Sequence, residues 1–194
     1  MIRSFLFSTA AGLLFACFVC AASNTAGAIS RTVSDEAAIY KAFLNHWGGE
    51  KHSQLLVSMA ADPPESQIVK QYVECAHDAG YKNISWQVST SKRNLKEVIG
   101  NLSYVRLIDP KDWHPRDPDA LIAKGHSVGE AVDTGISHAL MSFSTITFDK
   151  ERDLAVFSYS FECGSLCGTG GDVLFVKSAT GWVQSPHRCG GWMA

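Results

Sequence analysis

The stretch Cys163-Gly164-Ser165-Leu166-Cys167-Gly168-Thr169-Gly170-Gly171-Asp172 decides how this chain is read. It joins two runs of strand character: Leu154-Ala155-Val156-Phe157-Ser158-Tyr159-Ser160-Phe161 before it, and Val173-Leu174-Phe175-Val176-Lys177-Ser178 after it. A connection this short joins antiparallel neighbours, because a parallel pair needs a crossover of about a dozen residues or more. Two more strand segments, 142–148 and 182–185, flank these runs across turns at 149–153 and 179–181. The C-terminal third therefore reads as an antiparallel meander, with 163–172 as a glycine-rich, cross-linked loop within it.

Upstream, the period changes to that of helices. Ile39, Tyr40, Phe43, Leu44 and Trp47 recur at helical spacing. They predict a helix over 34–47, capped by Ser34 and stopped by Gly48-Gly49. Asp62-Pro63-Pro64-Glu65 has capping-box spacing and opens a second helix. That helix puts Ile68, Tyr72, Cys75, Ala76 and Ala79 on one face and ends at Gly80. A third helix is expected over 91–99, with short strands at 54–59, 84–88 and 103–108. The fold class expected is α+β, with N-terminal helices packed on a C-terminal antiparallel β-meander.

The first 28 residues read as a signal peptide. Arg3 precedes an uncharged apolar run over 5–22, and Ala26-Gly27-Ala28 has the small-x-small form of a cleavage site. The organisation expected is a leader over 1–28 and a single α+β domain over 29–194, with no integral membrane span after cleavage. Leu14-Phe15-Ala16-Cys17 also resembles a lipobox, which would anchor the chain at Cys17, but Phe15 and Phe18 are poor flanks for lipidation. The localisation expected is periplasmic or extracellular. Loss of Arg3 leaves 16 of the 17 basic residues against 19 acidic ones, and no run of either sign. A nucleic-acid partner needs a basic patch, which the sequence lacks. The sequence names no other partner and calls for no cofactor.

Export changes the meaning of the cysteines. Cys17 and Cys20 leave with the signal, and Cys75, Cys163, Cys167 and Cys189 remain. An even number in an oxidising compartment favours two disulfides, with three connectivities open. Cys163 with Cys167, and Cys75 with Cys189, is the favoured arrangement because the first two are local. A phosphate cradle at the glycines would need a helix after them, and a strand follows. A redox pair would have two intervening residues at a helix start, and here there are three between strands. A zinc site from Cys163, Cys167, His187 and Cys189 fits no usual spacing. Asp109, Asp112, His114, Asp117 and Asp119 form an acidic loop that lacks calcium-loop spacing, so a solvated turn with Asp117 as a helix cap is expected.

One local motif is catalytic in form. Gly125-His126-Ser127-Val128-Gly129 matches G-x-S-x-G and resembles the nucleophile elbow of lipases, esterases and cutinase-like hydrolases. That resemblance implies a strand over 121–123, a helix over 130–140, and a triad of Ser127, Asp172 and His187. Against it, Ser127 and Glu130 have capping-box spacing, and an antiparallel meander does not match the parallel sheet of those enzymes. No catalytic residue is therefore assigned, and the triad of Ser127, Asp172 and His187 stands as the alternative.

A longer resemblance runs from Leu140-Met141-Ser142-Phe143-Ser144-Thr145-Ile146-Thr147-Phe148 through Leu154-Ala155-Val156-Phe157 and the Cys163–Gly170 stretch to Gly181-Trp182-Val183. It is similar to a group of exported bacterial proteins of unassigned function that carry a C-G-x-L-C-G-x-G loop between two β-strands. Phe157 stands where a Tyr is common in that group, and Cys189 is extra. The resemblance implies a bacterial, exported domain with the meander as its signature, and carries over no site residues. The function expected is a non-enzymatic binding or envelope-associated domain; the alternative is a small serine esterase using Ser127.

Overall fold

The computed structural model describes the backbone of residues 21–48 and 54–194, and side chains over 33–47 and 54–194. The leader read at 1–28, with its lipobox at Cys17, lies outside the described residues up to residue 20. In chain order the elements are α1 (Ala21–Gly48), β1 (Leu55–Asp62), α2 (Ser66–Asp78), β2 (Trp86–Gln87), β3 (Arg93–Asn94), α3 (Leu95–Ile99) and β4 (Val105–Ile108). A 3-10 turn at Pro110–Asp112 leads to α4 (Pro118–Ile122) and α5 (Val128–Ser137). The remaining strands are β5 (Leu140–Ser144), β6 (Thr147–Asp149), β7 (Leu154–Gly164), β8 (Cys167–Ser178), β9 (Gly181–Gln184) and β10 (Gly191–Met193).

The α+β class is as expected, and one sheet joins the ten strands: six follow the order β10-β8-β7-β5-β1-β3, while β4 pairs with β1, β9 with β8, and β6 with β7 and β2. The sheet is mixed rather than purely antiparallel. β1 lies inside it, parallel to both β5 and β4. Long connections through α2 and α3, and through α4 and α5, supply the crossovers that parallel pairing needs. From β5 onward the expected antiparallel pairing holds: β5 with β7, β7 with β8, and β8 with β9.

The two faces of the sheet differ chemically. Ala155, Phe157, Tyr159 and Phe161 of β7 face α1, together with Phe143 of β5 and Val173 and Phe175 of β8. Ile39, Tyr40, Phe43 and Leu44 of α1 complete this core, as their spacing predicts. Phe43 sits edge-on to Phe157 and Phe143 at centroid distances of 5.4 and 5.7 Å, in the offset geometry that aromatic quadrupoles favour. On the other face, Val156 and Leu174 pack under Tyr72 and Cys75 of α2.

Several boundaries depart from the sequence reading. Ser34 caps nothing, because α1 already runs through it from Ala21. Asp62 ends β1 instead of capping α2; it pairs with Lys92 at 2.6 Å, and Glu65 is the N-cap without a side-chain bond. Residues 91–94 do not join α3: Arg93–Asn94 pairs with β1, and Asn94 caps the helix. The stretch 163–172 is not a loop. β7 and β8 continue through most of it, and only Ser165 and Leu166 turn between them.

Polar contacts seat α1 on the sheet. Asp35 accepts hydrogen bonds from Trp182 Nε1 at 2.9 Å and Arg152 Nη2 at 3.2 Å, and pairs with Lys177 Nζ at 3.5 Å. Burial raises the Asp35 pKa, but the Trp182 hydrogen bond and the Lys177 and Arg152 charges outweigh it and hold the carboxyl below its ordinary value. A lowered carboxyl stabilises the fold above its unfolded value of 3.8, and that contribution is lost as pH falls through the folded value.

The cysteines pair as favoured: Cys75 with Cys189, and Cys163 with Cys167. The first spans 114 residues of sequence and the second 4. Loop-closure entropy then gives about 5 kcal/mol for the long bridge and about 2 kcal/mol for the short one. Urea denaturation of Cys75→Ser/Cys189→Ser and Cys163→Ser/Cys167→Ser should show the larger loss in the first variant. Equal losses would refute that ordering.

Candidate functional site

The site is assembled on the α2 face of the sheet. Strand alternation puts Ser144 of β5, Ser158 of β7 and Asp172 of β8 on this side, with Ser158 and Asp172 directly opposite each other in the β7–β8 register. Ser158 Oγ donates to Asp172 Oδ1 at 2.6 Å. Tyr72, buried on the inner face of α2, places its hydroxyl 2.8 Å from Ser158 Oγ and 3.0 Å from Ser144 Oγ. The Ser158 proton goes to the carboxylate, so Tyr72 donates to Ser158. Ser144 Oγ takes the backbone N–H of Ser158 at 2.9 Å. The result is a chain of hydroxyls under α2 that ends at the Asp172 carboxylate. Burial raises the Asp172 pKa, and the Ser158 hydrogen bond offsets that only in part.

The wall opposite α2 comes from the end of the chain. The backbone N–H of Asp172 donates to Gly190 O at 3.0 Å, and β10 pairs with β8 so that Gly191 faces Gly171 and Trp192 faces Gly170. The Cys75–Cys189 bond ties this returning segment to α2. Between them lies a cleft of about 520 Å3, lined by Gln71 and Glu74 of α2, Asp172 of β8, and His187, Arg188 and Trp192 of the returning segment. A second cavity of about 630 Å3 opens on the α1 side, lined by His46 and Trp47, and shares Asp172 and residues 187–191 with the first.

The glycines of 164–171 have a specific role here. None of Gly164, Gly168, Gly170 and Gly171 has a positive φ, so unusual backbone angles are not the reason for them. A Cβ on Gly170 would lie 2.5 Å from Trp192 Nε1 and 2.7 Å from Cε2, and one on Gly168 would lie 3.2 Å from the far end of the ring. The glycines make a flat bed for the indole.

The residues singled out in the sequence separate accordingly. Asp172 and His187 reach one cleft. Ser127 does not line it: it is the N-cap of α5, its Oγ accepting from Glu130 N at 3.3 Å and donating to Glu130 Oε2 at 3.3 Å. The strand that a nucleophile elbow needs before the serine is the helix α4. The acidic loop divides into caps, since Asp109 caps the 3-10 turn and Asp117 caps α4. Among the described residues, no group of three His, Cys, Asp or Glu side chains is placed to hold a metal ion. Ser158, Gln71, Glu74 and Trp192 were not singled out in the sequence, and Tyr72 was read there only as a core residue of the second helix. The Gly190-Gly191-Trp192 ending carried a signal for Trp192, but its partner Gly170 becomes visible only through strand register.

No protein-family model, curated protein or solved structure matches the chain.

Two outcomes follow. Ser127→Ala should lower stability by about 1 kcal/mol through loss of the cap, measured by urea denaturation; no change would remove the capping role. Asp172 binds its proton more tightly in the folded state, so its contribution is greatest below pH 3.8 and lost as pH rises through the raised folded value. From pH 3.5 to pH 7 the wild type should therefore lose stability relative to Asp172→Asn, and parallel pH profiles would contradict this.

Proposed function

We propose that the chain is an exported, non-enzymatic binding domain of the bacterial envelope, and that its ligand enters the cleft between α2 and the β8–β10 edge. One observation carries this reading: the cleft is concave, mixed in polarity and braced on both walls by the Cys75–Cys189 bond. Ligand sites are clefts of this size with a few convergent polar groups, and a covalent brace keeps such a site open without a ligand. The two disulfides are compatible with an oxidising compartment, and the leader composition supports export. No described helix is long and apolar enough to cross a membrane. Ester hydrolysis is the weaker reading, because Ser127 is engaged at the start of α5 and lines no part of the cleft with Asp172 and His187.

A thermal-shift screen tests the binding reading. The panel holds neutral sugars, amines, carboxylates, phosphates and short peptides. A ligand at about 100 times its Kd adds about 2.7 kcal/mol, which is several degrees of Tm for a domain of this size. At least one class should stabilise the wild type and leave a cleft variant such as Glu74→Ala unmoved. A panel with no such class would overturn the proposal, as would turnover of nitrophenyl esters that disappears in Ser127→Ala.

A further inference from the structure

We infer that the cleft takes a pyranose unit of a carbohydrate, stacked on the outer face of Trp192 with its hydroxyls against Asp172, Glu74, Gln71 and Arg188. The inference rests on the binding reading above and adds the chemical class of the ligand.

The Trp192 indole lies against Gly168 and Gly170, yet the residue stays 46% exposed. The ring is therefore supported by backbone at Gly168 and Gly170, while the residue stays about half exposed and lines the cleft. The close approach to Gly168 and Gly170 does not bury the ring. The bed holds the ring in a fixed plane. The negative face of an aromatic quadrupole attracts the partly positive C–H groups of a flat aliphatic ring, and the axial hydrogens of a pyranose present such a surface.

The polar groups match the rim of the same ring. Trp192 faces Gly170 across the β10–β8 pairing, and Asp172 lies two residues further along β8, so both side chains are on the α2 face. Asp172 Oδ1 takes the Ser158 hydroxyl at 2.6 Å, and no hydrogen bond or ion pair to Oδ2 is seen among the described residues. Arg188 lines the same cleft without forming an ion pair with Asp172 or Glu74 among the described residues. The cleft thus brings acceptors with free capacity (Asp172 Oδ2 and the Glu74 carboxylate), a planar donor (Arg188) and a group that does both (Gln71) to one rim. A sugar hydroxyl donates one hydrogen bond and accepts others, so it satisfies both kinds. A simple cation would meet Arg188, and a simple anion would meet Glu74, Asp78 and Asp172.

The test is titration of the disulfide-bonded protein, following the Trp192 indole N–H by NMR with calorimetry in parallel. The soluble probes are cellohexaose, chitohexaose, xylohexaose and maltohexaose; co-sedimentation with cellulose, chitin and purified peptidoglycan sacculi separates a polymer source from a free oligosaccharide. Choline and spermidine form the non-sugar arm. At least one sugar should shift the Trp192 signal saturably, and Trp192→Ala should weaken its binding tenfold or more. Gly170→Ala, whose Cβ would meet the Trp192 ring and also the Tyr159 backbone carbonyl at 2.7 Å, should weaken it in the same direction. Asp172→Asn should also weaken it, and unchanged Tm values for Trp192→Ala and Arg188→Ala identify a local effect. If Gly170→Ala or Trp192→Ala fails to fold, Arg188→Ala serves with the same expected loss. Sugar binding that is indifferent to Trp192 and Arg188 overturns the assignment. Binding of the amines alone, in a Trp192-dependent manner, overturns the carbohydrate class and leaves the binding reading standing. Silence from every probe, here and in the thermal-shift panel, overturns both.

Discussion

The β7–β8 pairing is the constraint on which the rest of the structure depends. Its register runs without interruption from Leu154 opposite Val176 to Glu162 opposite Gly168, and shifts only next to the turn. Side chains alternate along a strand, so this register sends Phe157 and Phe175 to α1 and sends Val156, Ser158, Asp172 and Leu174 to α2. A slip of β8 by one residue against β7 would place Asp172 among the aromatic rings that pack on α1 and Phe175 on the α2 face. The burial of a large aromatic core on one face thereby specifies the polar arrangement on the other.

The two disulfides act on opposite ends of this hairpin's reach. Cys163–Cys167 closes the turn itself, where Gly164 already faces Cys167 across the ladder. Cys75–Cys189 joins α2 to the returning chain end, so it sets the width of the cleft. The glycines between them serve a third contact, the seat of Trp192. Cross-link, strand and aromatic ring thus meet around Asp172, although they come from sequence positions more than a hundred residues apart.

Much of the fold was legible because it rests on local patterns. The apolar stripe Ile39-Tyr40-Phe43-Leu44 became the buried face of α1, and Tyr72, Cys75 and Ala76 became that of α2. The strands around 154–161 and 173–178 were visible from their length and composition and proved longer than expected. The departures have physical causes. Asp62 has the chemistry of a helix cap, yet β1 extends to it because β5 and β3 offer ladder partners. Ser127 has the spacing of both an elbow and a cap, and the helix α4 in front of it leaves only the cap. Glycines suggest a loop by default, but opposite β7 and under Trp192 they are strand residues that allow close approach.

The sequence by itself determined the α+β class, the buried faces of the two long helices, the hairpin and the cysteine set, because each follows from periodicity or residue type over short distances. Only the tertiary structure decided that β1 runs parallel inside the sheet, that Asp172 meets Ser158 and Tyr72, and that Gly168 and Gly170 carry Trp192. Those contacts depend on register between distant strands, and register is chosen by the simultaneous burial of both sheet faces, which no local window of residues contains.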